Sequence, residues 1–313
     1  MWITTGVIAA VPAVWHGGRV RILVISANRL GDAVLTCGVL DHLARTYPNA
    51  RFTIACGPAA AGVYARMPGL ERIIVFDKRK NDSHWPKLWR DVVFTWWDLV
   101  VDFRGSALGF LIPARRRVVR RKRPGRMFEQ HAAMLGIDPA PLPVVWTAEA
   151  DRARAAALLP AGRPVIGFGV TANWAPKMWA AERFAALFER LSAGVLPGAV
   201  AAVFAGPGAA EREMAAPALA LLPGAIDLRG ALTIPEAAAV IKRCALYVGN
   251  DSGLMHLAAA TGTPTVGLCG TTRDRAAEMA PAGVRAVWAE ADASTMEALT
   301  VEAVEAACRQ LLG

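Results

Sequence analysis

Three short loops carry residue types whose spacing could do chemistry. Asp32 closes the stretch NRLGD (28–32), where a compact apolar run gives way to a helical pattern. An aspartate there has two readings. It can cap the helix and meet the positive end of its dipole, or it can act as a general base on a hydroxyl within hydrogen-bond reach. In NDSGLMH (250–256), Asn250 and Asp251 end a strand and Ser252 and Gly253 open a helix. Free backbone N–H groups at that start, with the partial positive charge of the helix, suit a diphosphate. Gly253 has no side chain to hold a ligand away from the backbone, and His256 follows one turn along, where a lone histidine is more often structural. The third loop, GVTANWAPKMW (169–179), offers the hydroxyl of Thr171 and the cation of Lys177. An isolated lysine is usually a solvated charge, whereas one converging with a diphosphate site would neutralise a leaving group. A dinucleotide fold would place G-x-G-x-x-G in the first loop, which holds a single glycine, so a nicotinamide or flavin site is not expected.

These loops need elements to hold them. The run RVRILVIS (19–26) reads as a buried parallel strand, followed by a helix over AVLTCGVLDHLARTYP whose Val34, Leu35, Val39, Leu40 and Leu43 share one face. ARFTIACG, RIIVFD and DLVVDFRG read as further strands. The proline-rich DPAPLPVVW (138–146) reads as a linker. A second alternation follows: PVIGFGV, ERFAALFERL, AVAAVFAG, TIPEAAAVIKRC, ALYVGND, SGLMHLAAATG and TPTVGLCG, closed by the helix VEAVEAACRQLL. Thr233 and Glu236 have capping-box spacing. Strand–helix alternation predicts doubly wound parallel sheets, in which ligands bind beyond the carboxyl ends of the strands. All three chemical loops follow strands.

At 313 residues the chain is long enough for two α/β domains, and 54% hydrophobic with 19% charged residues excludes disorder. Its five cysteines, Cys37, Cys56, Cys244, Cys269 and Cys308, are scattered, without a C-x-x-C, and read as buried thiols in a reducing compartment. Residues 1–18 form an apolar leader, shorter than the ~20 residues a membrane-spanning helix needs and interrupted by Pro12; it reads as disordered, mis-started or an interfacial anchor. The net charge is +9, and RRRVVRRKRPGR (115–126) holds eight basic residues and no acidic one, so the remainder is nearly neutral. The segment reads as a solvated loop, or as a patch for anionic lipid or a phosphorylated glycolipid. Nothing accompanies it that would read nucleic acid.

Taken together these loops resemble the lipopolysaccharide heptosyltransferases, glycosyltransferase family 9 of the GT-B fold. The residues that carry the resemblance are RLGDAVLTCGVLDHLARTYPNARFTIACG and DLVVDFRGS, then KMWAAERFAAL, VFAGPGAAERE and LRGALTIPEAAAVIKRCALYVGNDSGLMHLAAATGTPTVGLCG. They run in order over roughly 19 to 275, and the RLGD and NDSGLMHLAAA boxes are the specific ones. The resemblance implies two Rossmann-like domains facing a cleft, an acceptor-binding one at 19–145 and a nucleotide-sugar-binding one at 146–313. It implies inverting transfer of a sugar, usually heptose from ADP-heptose, to a glycolipid of the lipopolysaccharide-core type. No cofactor or metal is implied, and the donor is a substrate. Position by position, Asp32 matches the general base and Lys177 a lysine at the donor phosphate and sugar. Asp251 matches the sugar-end aspartate, Ser252 and Gly253 the diphosphate amides, and His256 the histidine of that box. Thr171 joins the donor set, and Glu211 or Glu213 holds the ribose. Arg120, Arg121, Lys122 and Arg123 would hold the acceptor, or hold a cytoplasmic protein to the inner membrane surface. Ala172, where a second hydroxyl is often found, and TTRDRAAEMAPAG (271–283) depart from the pattern and bear on which sugar is carried. Two rival expectations are a nucleotide-sugar epimerase of similar fold and a non-catalytic binder of anionic glycolipid.

Overall fold

The computed structural model describes residues 19–77, 84–121, 123–270, 277–290 and 295–313; the leader at 1–18 and Lys122 lie outside the described residues. The chain divides into two units, Met1–Pro143 and Val144–Gly313, each built on its own parallel sheet.

In the first unit, β1 (Arg21–Ile25) is apolar at four consecutive positions and all four are fully buried. A strand apolar on both faces needs cover on both, which a parallel sheet wrapped by helices supplies. The unit continues through α1 (Leu30–Val34), α2 (Cys37–Thr46), β2 (Arg51–Cys56), α3 (Pro58–Tyr64), β3 (Leu70–Val75), α4 (His84–Val93), β4 (Trp97–Asp102), β5 (Ala114–Val119) and α5 (Met127–Leu135). Sheet order is β3-β2-β1-β4-β5, with every neighbouring pair parallel. The winding reverses between β1 and β4.

Two sequence expectations change here. The helix expected after NRLGD is two helices, broken at Leu35–Thr36. The Thr36 N–H and hydroxyl both donate to the Ala33 carbonyl, at 3.0 and 2.7 Å, in place of a bond four residues back. The apolar face of Val34, Leu35, Val39, Leu40 and Leu43 stays buried across the break. The basic segment read as a loop begins as a strand. β5 buries Ala114 and Val118 and turns Arg115 and Arg117 outward, a pattern an edge strand tolerates because one side has no neighbour.

The second unit runs α6 (Glu149–Leu158), β6 (Val165–Gly169), α7 (Ala181–Ala193), β7 (Val200–Phe204), α8 (Ala209–Ala220), β8 (Ile226–Asp227), α9 (Ile234–Ile241), β9 (Leu246–Asn250), α10 (Gly253–Ala260), β10 (Thr265–Cys269), β11 (Ala286–Glu290) and α11 (Val301–Leu312). Its order is β11-β10-β9-β6-β7-β8, again all parallel, and its winding reverses between β6 and β9. One core face packs Phe168 edge-on to Phe184, with ring centroids 5.7 Å apart, and Phe184 edge-on to Trp179 at 5.0 Å. The capping box opens α9 as its spacing predicts: the Glu236 carboxylate accepts from the Thr233 N–H at 2.8 Å. All five cysteines are free and buried, and burial pushes the thiols of Cys56, Cys244 and Cys308 up to about 12. No helix among the described residues is long and apolar enough to cross a membrane.

Candidate active site

In the second unit the loops after β6 and β9, at the reversal of winding, hold the sequence-predicted residues Thr171, Lys177, Asp251 and Ser252. Asn250, the last residue of β9, is fully buried; its amide donates to the Val170 carbonyl at 2.8 Å and accepts from the Trp179 N–H at 3.0 Å. One side chain thus clamps both ends of the loop after β6. The Trp179 indole donates to the Leu299 carbonyl at 2.8 Å and fixes the far end further. Between the clamped ends lies a short 3₁₀ turn, Ala175–Lys177. From it Lys177 Nζ donates to Asp251 Oδ2 at 2.5 Å. Both side chains keep part of their surface open, 30% and 18%, so the pair can be reached from solvent.

Ser252 is the N-cap of α10, yet its hydroxyl caps nothing: Oγ is buried and bonds no described residue. The first amides of α10 are therefore not taken up by the usual side-chain acceptor. They lie next in sequence to the Asp251 that Lys177 holds. A second hydroxyl without a hydrogen bond among the described residues belongs to Tyr247 of β9. The Tyr247 ring crosses the end of β6, where a Cβ on Gly169 would stand 2.0 Å from the phenol oxygen, so only glycine fits. That phenol is buried without a hydrogen-bond partner among the described residues, and burial pushes its pKa upward. Thr171 is buried just past β6 and His256 is buried one turn into α10. Glu211, in the first turn of α8, folds back to accept the Gly206 N–H at 3.2 Å, on the loop after β7; Glu213 is exposed.

In the first unit, the β1/β4 reversal is tied by residues that sequence reasoning passed over. Asp102, fully buried at the end of β4, accepts the N–H groups of Arg104, Gly105 and Ser106 and the Ser106 hydroxyl, at 2.6–3.1 Å. Burial raises its pKa against those four bonds. The loop so held turns Arg104 across the reversal: Nη1 donates to Asn28 Oδ1 at 2.6 Å, and the guanidinium lies 5.3 and 5.2 Å from the rings of Phe76 and Trp85. Asn28 fits because Gly57 has no side chain; a Cβ there would stand 2.7 Å from the Asn28 Cα. Asp32 lies in the first turn of α1, whose N-cap is Arg29, and makes no hydrogen bond or ion pair with the described residues. It is half-buried and is not a side-chain cap, although as the acidic residue of the first turn it still meets the positive end of the α1 dipole. Behind it, His131 Nδ1–H donates to the Leu35 carbonyl at 3.2 Å. Burial, with Arg120 nearby, lowers that imidazole to about 4. Arg120 follows β5, its Nε buried without a partner among the described residues, and Arg121 and Arg123 are exposed.

Residues 111–305 match the model of glycosyltransferase family 9 (heptosyltransferase). The chain belongs to glycosyltransferase family 9. This family-9 chain is 36% identical over 115 residues to lipooligosaccharide heptosyltransferase 2 of Haemophilus influenzae, covering 35% of this chain and 32% of that relative. The match thus spans about a third of the curated relative. Its fold is that of a family-9 glycosyl transferase from Veillonella parvula, at a TM-score of 0.80 and 21% identity over 96% of this chain and 99% of that one. It is also that of E. coli heptosyltransferase WaaC solved with ADP, at 0.75 and 18% over 93% and 99%. The matched segment includes Thr171, Lys177, Glu211, Glu213, Asp251, Ser252, Gly253, His256 and the basic residues after β5, and leaves Asp32 outside it.

The second unit brings Lys177, Asp251 and Ser252 to one strand reversal and leaves Glu213 exposed, with no hydrogen bond to the described residues. Asn250, Tyr247, Asn28, Asp102, Arg104 and His131 gave weak sequence signals. Asn250 stood at a strand end beside a motif, but Arg104 and Asn28 meet across 76 positions of chain.

Proposed function

We propose that this chain transfers a sugar, heptose, from a nucleotide-diphosphate donor of the ADP-heptose kind to a glycolipid of the lipopolysaccharide-core type. The observation that carries this reading is the Lys177–Asp251 pair at the β6/β9 reversal, beside the start of α10. A departing diphosphate gathers negative charge. Lys177 and the α10 amides, Ser252 and Gly253 first, meet that charge where it develops. We place no metal in the step, because these groups fill the role a divalent cation would otherwise have. Asp251 takes sugar hydroxyls, Glu211 in preference to Glu213 takes the ribose, and Thr171 and His256 line the donor. In the first unit Asp32 takes the proton of the attacking hydroxyl, so the sugar is delivered in one displacement with inversion.

The acceptor side is basic, with Arg120, Arg121 and Arg123 after β5 and Lys122 among them in sequence. These charges suit a phosphorylated or acidic glycolipid at the cytoplasmic face of the inner membrane. Membership of family 9 favours transfer over epimerisation or simple glycolipid binding.

Asp32→Asn tests the chemistry. Donor binding should stay nearly intact by calorimetry while turnover falls by ~10²–10⁴. Wild-type turnover in the variant would remove Asp32 from the reaction. Turnover that persists in a chelator is expected, and its loss would return a metal to the mechanism.

A further inference from the structure

We propose that the β5 edge of the first unit, with the segments that enter β4 and β5, is a docking surface for an anionic lipid bilayer. Phe94 is 91% exposed, Trp96 62%, Phe110 63% and Leu111 63%. Such apolar exposure, grouped, marks an interaction site. The four belong together. Trp97 opens β4 in register with Ala114, which opens β5, and the Trp97 N–H donates to the Pro113 carbonyl at 3.2 Å. The chain entering β4, with Phe94 and Trp96, and the chain entering β5, with Phe110 and Leu111, therefore reach the same end of the sheet. Trp89 of α4 joins them, its indole donating to the Leu111 carbonyl at 3.1 Å.

From that end β5 runs about 20 Å to Arg120, beside the loop after β4. Arg115 and Arg117 face outward along it, and Arg121 and Arg123 lie exposed beyond. The surface is thus aromatic at one end and basic along its length. Guarding of an open edge accounts for the arginines but not for a phenylalanine left 91% exposed. A bilayer accounts for both: aromatic rings settle at the headgroup level while guanidinium groups meet anionic lipid. The surface also ends where the acceptor is read to bind, and in that respect the inference rests on the membrane-glycolipid reading above.

The test uses the full-length protein in co-sedimentation with phosphatidylcholine vesicles, with and without phosphatidylglycerol, and compares Phe94→Ser/Trp96→Ser/Phe110→Ser with wild type. Wild type should pellet only with the anionic vesicles and be released by salt. The triple variant should bind about tenfold more weakly or worse, with an unchanged melting temperature. Its donor affinity, and its turnover on a water-soluble, de-acylated acceptor, should match wild type. Wild type remaining in the supernatant, or a triple variant pelleting like wild type, overturns the proposal. So does loss of binding on deletion of residues 1–18 while the triple variant still binds, and so does a dimer in wild type that the triple substitution dissolves with no change in vesicle binding. If vesicle binding behaves as expected but no donor binds to wild type, the transferase reading fails and the docking surface stands.

Discussion

Lys177 and Asp251 occupy positions 74 apart in the chain, yet each is the other's charge partner. On the proposed transferase reading, a bound diphosphate would compete for the same ammonium. Lys177→Ala should weaken a nucleotide-diphosphate sugar by ~10–100-fold, the worth of one charge-assisted hydrogen bond, while a nucleoside without phosphates binds almost as before. Calorimetry with both ligands decides it, and equal losses would mean that the lysine shapes the loop instead. These two residues were legible because each follows a strand, and strand ends are where parallel sheets bind ligands. The clamp that makes their meeting possible was not legible. Asn250 reaches Val170 and Trp179 only after β6 and β9 pair, a contact with no local pattern in sequence.

Among the elements, the same division holds. Runs such as Ile22–Ile25 and Leu246–Val248 announce buried strands by apolar continuity, and Thr233 with Glu236 announces a helix start by spacing. β5 hides because three of its six residues are arginine, so charge masks the alternation that its edge position permits. The α1/α2 break hides because it is confined to one residue, Thr36, whose N–H and hydroxyl both bond the Ala33 carbonyl. Strand packing also makes a demand that can be measured. Gly169→Ala drives a methyl group into the Tyr247 hydroxyl and should destabilise the protein by about 1–3 kcal/mol. Tyr247→Phe removes a buried hydroxyl that has no partner among the described residues, and should cost little alone and restore part of the loss in the double variant. Urea unfolding of the four-member cycle reads the coupling; strictly additive effects would show that the two residues do not touch as drawn.

Across the whole molecule, charge is divided by unit. Residues 1–143 hold 21 Lys and Arg against 10 Asp and Glu, and residues 144–313 hold 14 against 16. The first unit is also where acid should act first. His131 titrates near 6.5 when unfolded and at about 4 when folded, so the unfolded chain binds the extra proton as pH falls between those values. Stability should therefore be level between about pH 6.5 and the range of ordinary thiols, fall above that as unfolded thiols ionise, and drop by about 3 kcal/mol on approach to pH 4. The carboxylates with lowered pKa, Asp227, Glu302 and Glu305, begin to matter as pH falls into the ordinary carboxylate range, where the unfolded chain takes up protons first. His131→Gln should flatten the slope in denaturant melts over that window, and an unchanged slope would assign it to another group. β5 has one more consequence. With β4 on one side only, its outer backbone donors and acceptors are a template for another chain's strand. Arg115 and Arg117 stand as electrostatic gatekeepers there, since two like-charged edges repel. Changing both to valine should leave the monomer fold intact but bring concentration-dependent self-association, visible as rising light scattering, and fibrillar β-signal on long incubation. A clear, monomeric double variant would show that the strand is protected by its shape and not by its charge.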